Sequence, residues 1–200
     1  MLEIIIFLEA YLLCAINPSI ILSKKVLKQD IRTLGSKNAG TTNAIRTMGK
    51  RVGAIVFCLD ILKVLVSYVI YMILTKICQE PINSTLSTTF MFASVLGHIY
   101  PVYYSFKGGK GVAVFLVSSL LVDIRAATIC VLVGLVIISI TRLVSLGSVC
   151  GTILLCIIAL FMNTNYNFIL LLITASVIIY KHIPNIKRLI NGTENKLFSK

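Results

Sequence analysis

Three short stretches of this sequence carry most of its chemistry-bearing side chains. The first reads Asp30-Ile-Arg32-Thr-Leu-Gly35-Ser36-Lys37-Asn38-Ala-Gly40-Thr41-Thr42-Asn43-Ala-Ile-Arg46. Gly, Ser, Thr and Asn tolerate left-handed backbone and present N–H groups, so such a loop can form an anion-binding nest that runs into a helix N-terminus. Arg46 can clamp a phosphate through two parallel hydrogen bonds. The same composition also suits an ordinary turn-rich loop with Thr42 or Asn43 capping the next helix. The second stretch, Gly97-His98-Ile-Tyr-Pro101-Val-Tyr-Tyr-Ser-Phe106-Lys107-Gly108-Gly109-Lys110-Gly111, interleaves glycines and lysines ahead of a helix. It can cradle a phosphate on backbone N–H groups, although the Walker A spacing is absent. The plain alternative is a glycine turn between lysines that orient a membrane segment. His98, alone at the end of an apolar run, reads as a hydrogen-bonded structural group sooner than as a base. The third stretch is Tyr180-Lys181-His182-Ile-Pro184-Asn185-Ile-Lys187-Arg188-Leu-Ile-Asn-Gly192-Thr193-Glu194-Asn-Lys196. His182 and Asn185 can share a helix face at i,i+3, with Pro184 between them threatening continuity, and Glu194 is the one acid among the cations.

The elements that must position these stretches are apolar. Hydrophobic residues make up 58% of the 200 positions and charged residues 13%, against roughly 25% charge in a soluble domain. The apolar residues fall in blocks (1–22, 52–75, 84–106, 112–122, 126–140, 143–161 and 166–180), several near the ~17–25 residues that span a bilayer as a helix. The first block lacks the basic start of a cleavable signal, carrying Glu3 and Glu9 instead, and is expected to be one permanent helix. Read as one helix, 112–140 would run about 43 Å, far beyond a ~30 Å core, with Asp123 and Arg125 stranded at mid-depth. Split at those charges it becomes two short helices. Seven spans then place nearly all of the 19 Lys and Arg on one side, and six would separate the basic tail from Lys24–Arg51. The positive-inside rule therefore selects seven spans, N-terminus outside and C-terminus cytoplasmic. The expected fold is an all-α polytopic bundle forming a single membrane domain over residues 1–200, with its polar segments gathered on the cytoplasmic face.

The +12 net charge is no sign of nucleic acid. The cations flank apolar blocks, where anionic headgroups explain them, and the aromatic interleaving of an RNA reader is missing. None of the six cysteines forms a C-x-x-C pair, so no metal site is indicated and they read as buried free thiols. Asp60 and Lys63, i,i+3 inside the second block, should pair within the membrane. Gly147 and Gly151 form a G-x-x-x-G packing face, with Ser145 and Ser148 beside it.

Taken together, GSKNAGTTNAIR at 35–46, GHIYPVYYSFKGGKGVA at 97–113, RLVSLGS at 142–148 and HIPNIKRLINGTENK at 182–196 resemble the acyl-phosphate:glycerol-3-phosphate acyltransferases of the PlsY type. The match in order, spacing and length covers nearly the whole chain. The resemblance implies a seven-helix bacterial inner-membrane enzyme with a cytoplasmic site. It would transfer a fatty acyl group from acyl phosphate to glycerol 3-phosphate, giving lysophosphatidic acid and phosphate in the first acylation of phospholipid synthesis. It implies no cofactor and no metal. Its partners would be the two substrates, membrane lipids and the enzyme that makes the acyl phosphate. By resemblance Ser36, Asn38, Thr42, Asn43 and Arg46 contribute to the anion site, Lys107, Gly108, Gly109, Lys110 and Gly111 hold phosphate, and Ser145, His182, Asn185 and Glu194 complete the pocket. Ser36, Arg46, Lys110, His182 and Asn185 are the expected catalytic set. Departures from the family pattern fall at Lys37, Thr41 and Lys181.

The chemistry suits the residues. Acyl phosphate is already activated, so the protein has to bring two anions together and stabilise an oxyanion. The H-x-x-x-x-D dyad of another acyltransferase family is absent, and no covalent nucleophile stands out. Direct attack by the glycerol 3-phosphate hydroxyl follows, its proton passing to a substrate phosphate or, as the rival, to His182. A small anion transporter is the competing class. It is disfavoured because the polar residues crowd one face and no internal repeat is visible.

Overall fold

The computed structural model describes residues 1–197. Among the described residues are eight α-helices and two single-turn 3-10 helices. The α-helices are α1 (Leu2–Cys14), α2 (Pro18–Val26), α3 (Thr41–Ile77), α4 (Ser84–Ile99), α5 (Val112–Val122), α6 (Ile124–Thr141), α7 (Val144–Phe161) and α8 (Phe168–Ile190). Five helical stretches are long and apolar enough to cross a membrane: Leu2–Val26, α3, α6, α7 and α8. Large apolar side chains such as Leu62, Val69, Leu132 and Ile169 cover the outside of the bundle, far more exposed apolar surface than a soluble monomer carries.

The first apolar block is broken, not continuous. Pro18 opens α2, and the Asn17 side chain caps it by accepting from the Ile20 N–H at 3.2 Å and the Ser19 hydroxyl at 2.7 Å. Proline at the first helical position lacks only an N–H that would be orphaned there anyway. The break frees the Ile16 carbonyl, which accepts from Lys63 Nζ at 2.9 Å. Lys63 also pairs with Asp60 at 2.7 Å and donates to His98 Nδ1 at 3.0 Å. Two hydrogen bonds and an ion pair thus surround the ammonium. That is how a buried ammonium is satisfied, and the expected Asp60–Lys63 pair is present; His98, hydrogen-bonded to Lys63, also lies on the wall of the cavity described below. Close approach of α4 to α1 needs Gly97, where a Cβ would lie 3.0 Å from the Ala15 nitrogen.

The split at Asp123 is present. Its carboxylate caps α6 by accepting from the Arg125 and Ala126 N–H groups, both at 3.1 Å. The other oxygen accepts from the Asn165 N–H at 3.0 Å, tying the α5–α6 tip to the α7–α8 loop. Helices α6 and α7 pack through their glycines: a Cβ on Gly147 would sit 2.6 Å from the Gly134 carbonyl, and one on Gly151 3.3 Å from that of Cys130. Two further expectations fail. Cys58 and Cys78 are exposed, on the outside of α3 and at its end, while Cys14 and Cys130 are buried as expected. Neither Thr42 nor Asn43 caps α3, since Gly40 stands there in extended backbone and the helix starts at Thr41.

Candidate active site

The connections at one end of the bundle converge on a cavity of about 330 Å³. Three helices begin on its wall, α3 at Thr41, α5 at Val112 and α7 at Val144. Helix starts carry unpaired N–H groups and the positive end of the helix dipole, so three of them make the rim receptive to anions.

Asn43 organises the first loop from within α3. It is buried, its Oδ1 accepts from the Ser36 N–H at 2.9 Å, and its Nδ2 donates among the carbonyls of Leu34, Asn38 and Ile31 at 3.0–3.2 Å. This folds 31–38 over the start of α3 and sets Ser36 and Asn38 at the cavity. Arg32 joins that loop to the second one. Asp30 fixes its guanidinium at 2.7 Å, and its Nη1 donates to the carbonyls of Tyr104 at 2.9 Å and Lys107 at 3.1 Å.

The glycine stretch uses its first N–H groups within the protein. Gly108 N–H donates to the Ile99 carbonyl and Gly109 N–H to that of His98, both at 3.1 Å. They satisfy the orphan carbonyls that end α4. A Cβ on Gly109 would strike the His98 ring and lie 2.6 Å from the Ala39 carbonyl, so this glycine is required by protein packing. Lys107, Gly108 and Gly109 are not on the cavity wall; Lys110 and Gly111 are. Gly111, at φ +79°, turns the chain into α5. Of the GGKG run, the first half ties the loop to the end of α4 and the second half faces the cavity.

The third stretch supplies the hub. Helix α8 runs unbroken past Pro184, so His182, Asn185 and Arg188 share one face at i,i+3,i+6. Beyond it the chain folds back and Glu194 accepts from three of its neighbours: Asn185 Nδ2 at 2.6 Å and Ser145 Oγ at 2.8 Å on Oε1, and Arg188 Nε at 2.7 Å on Oε2. Desolvation pushes the Glu194 carboxyl upward, but these donors outweigh it and hold the pKa below its ordinary value. Asn185 Oδ1 in turn accepts from Lys110 Nζ. Burial chiefly lowers the Lys110 pKa to about 8; Glu194 opposes the shift, while Arg188 and Arg46 add to it. Arg46 donates to the Asn195 carbonyl at 3.3 Å, and the Leu197 N–H to that of Arg142 at 2.8 Å, which fixes the returning segment. His182 is buried and its Nδ1 lies 2.8 Å from the Ile178 carbonyl. A carbonyl only accepts, so the proton is on Nδ1 and Nε2 carries the lone pair.

Ser36, Asn38, Thr42, Asn43, Arg46, Lys110, Gly111, Ser145, His182, Asn185 and Glu194 thus line one cavity. Arg188 lines it too and was missed, although its spacing from Asn185 was the signal. Ser148 bonds the Val144 carbonyl at 2.8 Å within its own helix. Below the polar rim the wall turns apolar, with Phe115, Leu116, Cys130, Val131, Leu135 and Leu155. Among the described residues no three His, Cys, Asp or Glu side chains converge to hold a metal ion.

Apolar helices around a cavity that is cationic at the rim and apolar beneath define a multi-pass membrane protein built to take an amphiphilic anion. Residues 4–192 match the family model of glycerol-3-phosphate acyltransferase. The glycerol-3-phosphate acyltransferase of Clostridioides difficile is 39% identical over 198 residues, covering 98% of this chain and 96% of that one. That of Thermoanaerobacter pseudethanolicus is 40% identical over 192 residues, covering 96% and 93%. The crystal structure of PlsY, an integral membrane glycerol 3-phosphate acyltransferase, superposes in its glycerol 3-phosphate form with a TM-score of 0.85 at 36% identity, over 98% of this chain and 96% of that one. Its lysophosphatidic acid form superposes at 0.80 and 35%, over 97% and 94%. The chain belongs to the glycerol-3-phosphate acyltransferase family and is a membrane-embedded acyltransferase of phospholipid synthesis.

Proposed function

We propose that the acceptor is glycerol 3-phosphate, the donor acyl phosphate and the products lysophosphatidic acid and inorganic phosphate. The observation that carries this reading is the joining of Arg46, Lys110 and Arg188 at a polar rim to an apolar groove in one cavity. Two phosphates need the cations, and a fatty chain needs the groove. The solved relative has forms with glycerol 3-phosphate and with lysophosphatidic acid, which fits the same acceptor and product here. Arg46 and Lys110 draw the two phosphates together, with Ser36, Asn38, Thr42 and the start of α5 at Gly111 completing the anion site. Asn185 and Glu194 hold the Lys110 ammonium and the Ser145 hydroxyl in place. Lys107, Gly108 and Gly109 act through the loop that carries Lys110.

The acceptor hydroxyl attacks the acyl carbonyl carbon and forms the new C–O bond. The tetrahedral oxyanion collapses, the bond to the phosphate oxygen breaks, and phosphate leaves. The hydroxyl proton passes to a substrate phosphate, while His182, with its lone pair on Nε2, orients the hydroxyl. Comparing purified protein on acyl phosphate and on acyl-CoA tests the donor. Turnover on acyl-CoA with none on acyl phosphate sinks the reading.

In the membrane, Leu2–Val26, α3, α4, α5, α6, α7 and α8 act as seven spans of a single domain, with the N-terminus outside and the cavity at the cytoplasmic face of the inner membrane. Helices α4 and α5 are short and depend on their neighbours and on local thinning of the bilayer. The charge asymmetry supports this orientation; of the tail cations, Lys200 lies outside the described residues. The basic cytoplasmic face is also where an acyl-phosphate-producing enzyme would deliver the donor. In a variant without other cysteines, single cysteines at Lys28 and Lys187 should react with an impermeant thiol reagent only after the inner membrane is permeabilised. Labelling of either in intact cells overturns this topology.

A further inference from the structure

The apolar groove has a closed inner end that the reaction itself does not require. Its walls run from the polar rim inward along α6 and α7, and at the bottom stand Ala127 and Leu155, each 1% exposed, with Ser119 and Cys130 also buried. The floor is braced from behind. Tyr166 donates to the Ser119 carbonyl at 2.8 Å, and Asn165 is tied to Asp123 at the tip between α5 and α6. On the outer side the groove is open: Leu135 is 55% exposed and Phe57 38%. We infer that the Ala127–Leu155 floor measures the acyl chain, so that these residues set the chain-length preference of the transfer. This rests on the acyl-donor reading above.

The dimensions support a ruler. Ser145 marks the polar end on α7 and Leu155 the floor on the same helix, about 15 Å apart at ~1.5 Å per residue. An extended alkyl chain with C–C bonds of ~1.5 Å in a zigzag advances about 1.3 Å per carbon. Roughly a dozen carbons therefore reach the floor. A longer chain has to bend towards the opening at Leu135 and leave the groove that α5 closes over α6 and α7, which are themselves in contact through Gly134, Gly147 and Gly151. Ala127 is the position where added volume raises the floor, and Leu155 the one where removed volume lowers it. A pocket discriminates one methylene by roughly 10- to 200-fold, so small changes there should be visible.

Initial rates at saturating glycerol 3-phosphate would be measured with saturated acyl phosphates of roughly 10 to 18 carbons, each variant normalised to wild type at every length so that donor solubility cancels. Ala127→Leu should move the optimum at least two carbons shorter, with the rate ratio of the shortest to the longest donor rising about tenfold. Leu155→Ala should move it at least two carbons longer. Ile153→Phe, on the outward face of α7 where Ile153 is 43% exposed, should leave the profile alone. Ala127→Val gives a milder test if Ala127→Leu does not fold, and Leu155→Ala decides if neither does. Profiles that superpose on wild type in the folded variants overturn the ruler. If wild type turns over acyl-CoA and no acyl phosphate of any length, the donor reading has failed instead, and the same length series run with acyl-CoA still decides the ruler.

Discussion

Lys110 should make the Michaelis constant for glycerol 3-phosphate depend on pH in a way that a lysine in water would not. Its ammonium sits among Asn185, Arg46, Arg188 and Glu194, and burial brings its pKa down to about 8. The sign follows directly. A cation with a lowered pKa is charged below that value and neutral above it, and a phosphate prefers the charged form. The KM for glycerol 3-phosphate should therefore be flat below about pH 8 and rise above it, approaching tenfold per pH unit because one unit is ~1.4 kcal/mol. The substrate does not produce this limb, since a phosphate monoester completes its ionisation near pH 6. Lys110→Ala removes a charge-assisted contact of about 1.5–3 kcal/mol, which is a roughly 10- to 150-fold higher KM at pH 7, and removes the alkaline rise with it. Lys110→Arg keeps its charge throughout this range because a guanidinium does not lose its proton there, so its KM should stay flat to about pH 9.5, at some loss at neutral pH because a planar guanidinium does not replace an ammonium against Asn185. The assay is initial rate against glycerol 3-phosphate at saturating donor across this range, with donor hydrolysis subtracted. A wild-type KM that stays flat to pH 9.5, or an alkaline rise undiminished in Lys110→Arg, refutes the reasoning.

Glu194→Gln leaves Arg188 without its carboxylate and weakens the hold on Ser145 and Asn185, so both the melting temperature in detergent and kcat should fall, by about 1.5–3 kcal/mol for a charged hydrogen bond; unchanged melting would show that the returning segment is held elsewhere. Gly109→Ala drives a methyl into the His98 ring and the Ala39 carbonyl, so folded yield and melting temperature should drop along with any rise in KM, and a higher KM at wild-type stability would restore direct phosphate contact at Gly109. In His182→Asn the acid limb of the rate profile near pH 6, set by a substrate phosphate, should persist while KM or thermal stability worsens. Loss of that limb with KM and melting unchanged would make His182 the base.

What the sequence determined by itself is whatever a one-dimensional pattern of burial and charge can record. The apolar blocks specify membrane helices because a bilayer admits little else. Asp123 and Arg125 mark a break because charges at mid-depth of a single long helix are costly, and the break is there, with Asp123 as the cap. The Asp60–Lys63 pair was legible for the same reason. The residue types of GGKG and of HIPN announced anion chemistry, and Lys110, Gly111, His182 and Asn185 do line one cavity. Tertiary structure alone decided where each polar group is used. Whether a glycine N–H is offered to a phosphate or taken by the end of α4 depends on which carbonyls lie above it, and Ile99 and His98 lie above Gly108 and Gly109. The break before Pro18 supplies a carbonyl to Lys63, an arrangement that needs α3 alongside α1. Glu194 became the hub of Ser145, Asn185 and Arg188 because the chain beyond α8 turns back over α7. Hydrogen bonds between residues far apart in sequence depend on which helix ends meet, and packing in three dimensions fixes that meeting, which local spacing does not encode.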